Sequence, residues 1–333
     1  MSWNKDYNSF LALGFETDYN KPPVECILMP IDSEAMDYKR TKTDPTTMRG
    51  IRAQEAPVFG NVDISGGITF PLDTVALGYV LRAAFGLPTT TGTTPAFSHA
   101  FKPGNTQPSF CAEKQFTDAK GYDLLSGLKV NKLTFNFGDD KNTSYVAEII
   151  GADRVLGAKT AFTTTEKALL DYTRFFEWQG TVKEGGLTTG IITKGTIVLD
   201  FGLQADTYAI GSKGIRTKLE PTSPFKVTGQ LTLFFEDTLM VEKTITGATS
   251  SLEFALTDSD GPSFTISIPE VVYEPAIAKL EASKGTMLTI NYNGFVSNPL
   301  DAAASIVLMT LANGHADYTK LPATMLKNIN NEV

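Results

Sequence analysis

Cysteine and histidine are scarce in this chain of 333 residues, which contains two of each. Cys26 and Cys111 cannot build a disulfide framework, so a reducing compartment such as the cytoplasm is the simplest setting. Without Cys-x-x-Cys or His-x-x-x-His spacing, the sequence predicts no metal site. Residues 211–214 (Gly-Ser-Lys-Gly) lack the spacing of a phosphate-binding loop and predict a turn, so no cofactor is expected.

An excess of basic charge and long apolar runs are also lacking. The 29 Lys and Arg residues are outnumbered by 37 Asp and Glu residues, which gives a formal net charge of −8. This balance argues against a broad basic face that holds nucleic acid or an anionic membrane. No run reaches the roughly 18 apolar residues of a membrane span, and residues 1–8 lack the features of a secretory signal.

The sequence is instead rich in short stretches in which apolar and polar residues alternate. The apolar members of four such stretches are Leu133, Phe135 and Phe137; Ile197, Leu199 and Phe201; Leu231, Leu233 and Phe235; and Leu288, Ile290 and Tyr292. A period of two is typical of half-buried antiparallel strands, and the polar residues 139–142 and 258–262 predict hairpin turns. We therefore predict a mainly β protein with sandwich or barrel architecture.

Helical spacing occurs in two places. The first candidate helix begins after Asp73 or Thr74 as N-cap, carries Leu77 and Leu81 on its apolar side, and ends at Gly86. The second candidate spans residues 165–176. Two helices among about a dozen strands predict helices that flank a β fold.

Two pairs of segments resemble each other. Residues 64–70 match residues 227–233, and the hairpin pattern of residues 133–149 recurs without a gap at residues 252–268. We predict a duplicated fold, with a first domain over residues 1–185 and a second over residues 186–333. The first domain would include an N-terminal arm and a long loop at residues 87–121, since the matched motifs are farther apart there.

No catalytic constellation is visible. His99 lies within the predicted long loop and His315 within residues 313–317, and both are predicted to lie in exposed loops, so we expect no enzyme and no catalytic residues. A pair of carboxylates on distant strands, as in a β-rich hydrolase, remains open. A chain with many strands, long polar loops and no reactive cluster suits a protein that assembles, because strand edges are satisfied by pairing with a neighbouring subunit.

Several motifs together resemble the tail tube proteins (major tail proteins) of long-tailed bacteriophages. The motifs are residues 14–20 with Pro22 and Pro23, residues 62–70 followed by 77–81, and residues 221–235, 252–256 and 264–269. The resemblance implies a tail-tube-like β-sandwich or barrel with a flanking helix. It also implies rings that stack into a hollow tube around a tape-measure protein, with DNA as a transient cargo of the lumen.

Further expectations follow from the resemblance. Members with two copies of the fold form three-subunit rings of pseudo-sixfold symmetry, so a homotrimeric ring is expected, together with contacts to tail terminator and baseplate proteins. Acidic and polar groups would line the lumen and repel DNA. The N-terminal arm to about Thr47 and the loop at residues 87–121 are the candidates for ring stacking, because both are expected to be extended and to have few apolar residues to bury within their own domain. The location would be the tail of the virion, after assembly in the host cytoplasm.

One alternative comes from the binding class. A carbohydrate-binding or adhesive β protein of a virion or cell surface would present a cluster of exposed aromatic side chains as a sugar platform. The chain contains only two tryptophans, Trp3 and Trp178.

Overall fold

The computed structural model describes residues 5, 9–23, 25–47, 50, 52–138, 143–157, 159–160, 162, 168–170, 172–259, 261–278, 285–301, 304–319 and 326–328. These residues form twenty strands and two α-helices. The strands are β1 Ser9–Phe15, β2 Ile27–Met29, β3 Ser33–Thr43, β4 Val58–Pro71, β5 Thr89–Thr93, β6 Ala96–Phe101, β7 Phe110–Phe116, β8 Gly121–Phe137, β9 Ser144–Gly151, β10 Asp153–Gly157, β11 Ala168–Leu170, β12 Gly180–Glu184, β13 Leu187–Thr188, β14 Ile192–Asp200, β15 Lys226–Phe234, β16 Ser250–Thr257, β17 Ser263–Tyr273, β18 Met287–Gly294, β19 Leu308–Asn313 and β20 Leu326–Asn328. The helices are α1 Ala76–Phe85 and α2 Leu239–Thr246. The prediction of a mainly β fold is confirmed.

The strands form one large antiparallel sheet with a smaller layer attached. The large sheet runs in the order β3–β4–β9–β8–β14–β15–β18. From β18 it continues to β17, which pairs with β16 and β19. Strands β12 and β13 extend it beyond β16, and β6 and β5 extend it beyond β19. The smaller layer has the order β20–β11–β2–β1–β7–β8–β10, in which β11 and β2 are parallel, and β8 belongs to both layers.

Strand β8 changes layer at a glycine. Its first part pairs with β7 and β10, and its second part, from Lys129, pairs with β9 and β14. Gly127 has a φ of 62°, which only glycine adopts without strain. A Cβ atom there would lie 2.7 Å from the Cβ atom of Ala152. The bend at Gly127 therefore sets how the two layers meet.

The core confirms the predicted alternation. Leu133 and Phe135 on β8, Ile197 on β14, and Leu231 on β15 are all fully buried. On the other side of the same core, Phe264 of β17 lies 5.9 Å from the ring of Phe135, although β8 and β17 are not paired. The large sheet thus curls back over its own apolar face, which gives the packing of a sandwich.

Helix α1 was predicted correctly. The Oδ1 atom of Asp73 accepts hydrogen bonds from the backbone N–H groups of Val75 (2.7 Å) and Ala76 (2.5 Å), so it satisfies donors that the first turn leaves free. Gly86, with a φ of 90°, ends the helix. Nearly the whole helix is buried, because it packs against the core rather than lying on the surface.

The second helix was predicted in the wrong place. Within residues 165–176, the described part contains strand β11 and extended chain, in which the N–H of Phe175 donates to the carbonyl of Leu72 (2.9 Å). The observed helix is α2, which begins after Asp237 and Thr238 and ends at Gly247 with a φ of 66°. Backbone pairing with residues 72–74 overrides the helical spacing of residues 165–176, an effect of tertiary structure.

The predicted long loop at residues 87–121 is mostly strand. It contains β5, β6 and β7; β6 pairs with β19, and β7 pairs with β1 and β8. Phe101, Phe110 and Cys111 are buried there. The expectation that this segment has little to bury within its own chain is wrong, because its apolar residues are inserted between distant strands.

The N-terminal arm is likewise part of the fold. Strand β1 pairs with β2 and β7, and Leu11, Ala12 and Leu13 are buried. Only the outer half of β3 and the segment that follows it, up to about Thr47, extend away from the core with largely exposed side chains. The prediction of an unpacked arm therefore holds for residues near 37–47 and is wrong for residues before them.

Both matched hairpins are formed, as β8–β9 and β16–β17. Leu133 pairs with Ala147, whereas Leu252 pairs with Ile268, so the registers differ by two residues. A shift of two leaves the same side chains on the inner face, because side chains alternate with a period of two. The turn at residues 258–262 is confirmed by a hydrogen bond from the N–H of Asp258 to the carbonyl of Pro262 (2.8 Å), and residues 139–142 lie outside the described residues.

Candidate functional site

The broadest functional feature is a polar sheet face. It consists of the outward side chains of five neighbouring strands, β9, β8, β14, β15 and β18, and we call it the polar face. Its members are Ser144, Val146, Glu148, Lys132, Thr134, Asn136, Thr196, Val198, Asp200, Lys226, Thr228, Gln230, Thr232, Thr289, Asn291 and Asn293. None of them is buried, and the residues between them form the core. The alternation visible in the sequence therefore produces one apolar face and one polar face on the same strands.

The charges on the polar face alternate across the strands. Glu148 pairs with Lys132, Lys132 with Asp200, and Asp200 with Lys226. The Nζ atom of Lys132 lies 3.8 Å from a carboxylate oxygen of Asp200. Because each of these lysines stands beside a carboxylate, the row presents little net positive charge to a polyanion.

The neutral members of the polar face bond to each other. Thr196 donates its hydroxyl to Asn136 (3.2 Å), and the amide of Gln230 donates to Asn291 (3.0 Å). Such cross-strand pairs hold the short side chains down on the sheet. Part of the polar face is therefore hydrogen-bonded within itself.

A long strand edge is open next to the polar face. Among the described residues, β3 pairs with β4 on one side only. Its outer half is exposed, and Arg40 lies over the ring of Phe59 (5.9 Å to the centroid), while Arg154 lies over Tyr38 (5.4 Å). An unpaired edge of this length is a template for pairing with another chain.

An exposed aromatic pair marks a second surface. Trp178 is 78% exposed and stacks on Phe176, with ring centroids 6.3 Å apart. The pair stands beside a groove of about 390 Å³ between β12 and β14, whose wall includes Phe137, Val182 and Phe254. We call this groove the Trp178 groove. Large aromatic residues left in solvent are typical of protein interfaces.

Both histidines are buried in the core, so the prediction that they lie in exposed loops is wrong. The Nε2–H of His99 donates to the carbonyl of His315 (2.8 Å), and the hydroxyl of Tyr79 lies 3.1 Å from His315 Nε2. Burial lowers the pKa of both imidazoles, that of His315 to about 4. His99 stands two residues before buried Phe101 on β6, so a period of two was the signal that could have placed it on the inner face of a strand.

Arg216, which no sequence motif indicated, is a buried arginine that connects the segment around residues 205–216 in the second half of the chain to strands β4 and β9 in the first half. Arg216, 4% exposed, donates to the carbonyls of Gly151 (2.7 Å) and Ala205 (2.6 Å) and pairs with Asp63 (2.5 Å). Tyr208 donates to the carbonyl of Val62 (2.7 Å) beside it. No sequence spacing could reveal these partners, because Asp63 and Arg216 are 153 residues apart. The predicted turn at residues 211–214 is confirmed within this segment.

The fold and these surfaces define a class of protein. A mainly β chain with a broad polar face, an open strand edge and exposed aromatic residues is typical of a structural subunit that associates through its surfaces. Residues 7–294 match a family model described as Phage tail tube protein, and the chain therefore belongs to the phage tail tube protein family. No curated protein matches the sequence.

Family membership confirms the resemblance read from the sequence. The chain is a structural protein of the phage tail tube and a component of the virion tail. Proteins of such a tube self-assemble with other tail components. Neither α-helix of the described residues is long and apolar enough to cross a membrane.

Proposed function

We propose that copies of this chain form rings that stack into a hollow tube, with the polar face lining the lumen through which DNA leaves the virion. The polar face is the observation that carries this proposal. It is the exposed side of the widest continuous sheet in the described chain. The opposite face of the same strands packs in the hydrophobic core. The wall of the lumen must be polar so that the lumen stays filled with water. It must also not bind the DNA that passes along it.

The charge pattern of the polar face supports passage rather than binding. Tight binding of DNA depends on basic groups that replace the counterions of its phosphates. On the polar face, Lys132 and Lys226 each pair with Asp200, and Glu148 flanks Lys132 on the other side. A polar lining with balanced or acidic charge therefore lets DNA slide without being held.

The ring is proposed to be a homotrimer of pseudo-sixfold symmetry. In the first half of the chain, strand β4 is followed by helix α1 and later by the hairpin β8–β9. In the second half, strand β15 is followed by helix α2 and then by the hairpin β16–β17. This common order supports two related units over residues 1–185 and 186–333, with β5, β6 and β7 inserted in the first. Three copies of two units would supply the six positions of a ring.

The remaining partners follow from this role. A tape-measure protein would fill the tube during assembly, and tail terminator and baseplate proteins would contact its two ends. The open edge of β3 supports edge pairing between neighbouring subunits. Such pairing would satisfy the backbone N–H and C=O groups that β3 leaves exposed. The proposal includes no reaction and no cofactor.

Electron microscopy of the purified chain tests this proposal. At high concentration we expect stacked rings with an open lumen, and end-on class averages with three subunits of two lobes each. The map should place the polar face on the lumen. Rings whose lumen is lined by another surface, or six-subunit rings, would contradict the corresponding part of the proposal.

A second candidate, a carbohydrate-binding surface, is favoured by one observation. Phe176 and Trp178 form an exposed stacked pair beside the Trp178 groove, which is the kind of platform that a sugar ring covers. Trp178→Ala and Trp178→Phe separate the two functions. Loss of glycan-array binding in the alanine variant, with assembly unchanged, would favour the sugar platform; loss of assembly, with rescue by phenylalanine, favours a subunit contact.

A further inference from the structure

The two halves of the chain share a pattern of strand pairing. In the first half, β4 pairs with β3 and β9, and β8 pairs with β7, β9 and β10. In the second half, β15 pairs with β14 and β18, and β17 pairs with β16, β18 and β19. Strand for strand, β3, β4, β7, β8, β9 and β10 therefore correspond to β14, β15, β16, β17, β18 and β19. This alignment sets the hairpin β8–β9 against β17–β18, one strand later than the hairpin that the sequence similarity matched.

The registers of the two halves agree as well. A β-bulge interrupts the pairing at the same place in β7–β8 and in β16–β17. The pairs on either side of the bulge are Phe110–Leu128 and Ala112–Leu125 in the first half, and Ser250–Val271 and Leu252–Ile268 in the second. One residue further along, Lys129 pairs with Ile150, and Val272 pairs with Asn293. A bulge repeated in this position belongs to the fold itself, because simple alternation of side chains does not produce it.

One pairing has no counterpart within the chain. Strand β8 also pairs with β14 and so joins the first half to the second, whereas the equivalent pairing would join β17 to β3. Among the described residues, β3 pairs only with β4. No described strand pairs with the edge of β17 opposite β18 beyond Val271. Two strand edges that correspond to a formed pair are thus open, at the two ends of the same sheet.

The strand directions allow this pairing between two copies. The seven pairings that lead from β3 across the large sheet to β17 are all antiparallel, so β17 runs opposite to β3. Rotation of a copy about the axis of a ring leaves the direction of its strands along that axis unchanged. Strand β3 of a second copy would therefore lie antiparallel to β17, as β14 lies to β8.

Lys39 on β3 corresponds to Asp200 on β14. The matched segments of β4 and β15 are aligned both by their sequence and by their pairing with β9 and β18. One residue before these segments, Asp63 pairs with Lys39 in the first half, and Lys226 pairs with Asp200 in the second. The positions are equivalent, and the charges at both of them are exchanged.

Glu274, directly after β17, takes the place of Lys132 on β8. The N–H of Glu274 donates to the carbonyl of Asn291 (2.9 Å), and its carboxylate accepts a hydrogen bond from the side-chain amide of Asn291 (3.0 Å). Counted along β9 and β18, Asn291 corresponds to Glu148, which pairs with Lys132. The position that is basic where the two halves meet is therefore acidic at the open edge of β17.

We propose that β3 of a second copy pairs with the chain that follows β17, at residues 274–278, and that Lys39 of that copy lies beside Glu274. We call this pairing the seam. The inference rests on the ring proposed above and names the partner of its open β3 edge. Within the chain, Lys132 pairs with Asp200 in the same way, and the seam repeats this pair with the two signs exchanged. Opposite charges at both places would favour the same register.

Both side chains of the proposed pair are accessible to another copy. Lys39 is exposed and pairs with Asp37 (2.9 Å), which is exposed as well, and such a surface pair contributes little to stability. Glu274 is exposed and accepts hydrogen bonds from neutral amides. Three seams would close the sheets of a homotrimer into one ring and leave neither edge open.

Exchange of the two charges tests the seam. Lys39→Glu or Glu274→Lys alone would place like charges opposite each other, so the concentration at which rings form should rise about 3- to 10-fold, measured by sedimentation. The double variant has opposite charges again and should assemble within about 2-fold of the wild type. Circular dichroism checks that each variant is folded. A double variant that assembles no better than the weaker single variant would overturn the inference.

A disulfide between two separate variants tests the register without depending on affinity. Lys39→Cys and Glu274→Cys are purified apart, mixed during assembly and oxidised, so that a bond between the new cysteines has to join two copies. Residues opposite each other on antiparallel strands have Cα atoms about 4.5–5.5 Å apart, which a disulfide spans. Mass spectrometry should find position 39 joined to position 274. Asp37→Cys, two residues away on the same face of β3, is the matched control and should link less.

The outcomes separate this inference from the proposed function. A disulfide between positions 39 and 274 supports the seam. A disulfide between two copies of Lys39→Cys alone would mean that two β3 edges pair with each other, and it overturns the seam. Tubes that form without the bond between positions 39 and 274 also overturn the seam and leave the tube proposal standing. A native chain that forms no oligomer in electron micrographs overturns both.

Discussion

The ring of Phe137 on β8 stacks on the ring of Phe254 on β16, with centroids 5.3 Å apart, although the two strands share no hydrogen bond. The residues stand on opposite sides of the proposed boundary near residue 185. Strand β8 also pairs directly with β14, and buried side chains of both halves belong to one hydrophobic cluster. The two proposed units are therefore joined through a shared core and would not separate without exposing it.

Arg216 should be one of the largest single contributors to stability. Arg216→Met would leave Asp63 without its partner and would remove the buried hydrogen bonds that Arg216 donates to the carbonyls of Gly151 and Ile64. We expect the free energy of unfolding to fall by about 3–5 kcal/mol, measured by urea denaturation. Arg174→Met, which breaks the more exposed pair with Asp32, is the matched control and should cost about 1 kcal/mol or less. Equal effects would contradict the role given to Arg216.

The bend of β8 should depend on glycine at position 127. Gly127→Ala forces a Cβ atom against Ala152 and places an L-residue at a φ of 62°. We expect a loss of about 1–3 kcal/mol in the free energy of unfolding. Gly121→Ala on the same strand meets no atom within 4 Å and serves as the control. A similar loss in both variants would show that strand propensity, rather than the bend, is responsible.

Acid should weaken the fold through the buried histidines. The pKa of His315 is about 4 in the folded chain, against about 6.5 when unfolded, so the unfolded state binds the proton more readily. Stability from this group is complete above pH 6.5 and is lost as the pH falls towards 4. Asp73 acts in the opposite direction, because burial raises its pKa to about 7, and its proton uptake favours the folded state as the pH falls.

Comparison with a variant isolates the histidine. Wild type and His315→Gln share the contribution of Asp73, so the difference between their melting temperatures reports on His315. On going from pH 7 to pH 5, we expect this difference to shift in favour of the variant by about 2–4 °C. Calorimetric scans at several pH values provide the measurement. A difference that does not change with pH would contradict a neutral buried His315.

Lysine on the polar face should convert the proposed wall from a passage into a binding surface. Thr134→Lys with Thr228→Lys adds two cations on either side of Val198, in one row across the strands. Assembled tubes of this variant should retain short duplex DNA in a sedimentation assay, with binding that falls as salt rises. Thr246→Lys with Ser223→Lys adds the same charge at exposed positions elsewhere. Equal retention by both variants would argue that the polar face does not line the lumen.

The sequence by itself determined the local features of this protein. Alternation of apolar residues at 133–137 and 197–201 predicted strands correctly, because a period of two leaves one face for the core. Asp73 and Gly86 marked the ends of α1, because capping depends on residues adjacent in the chain. The motifs spread over the chain also indicated the family.

Tertiary structure decided what depends on partners far apart in the chain. It made residues 168–170 and 172–176 strand or extended chain, buried His99 and His315, and brought strands from residues 87–121 into the sheets, since pairing with distant strands outweighs local preference. It also brought Arg216 next to Asp63. Such sites arise where the sheet curls and bends, and a linear sequence carries no signal for that geometry.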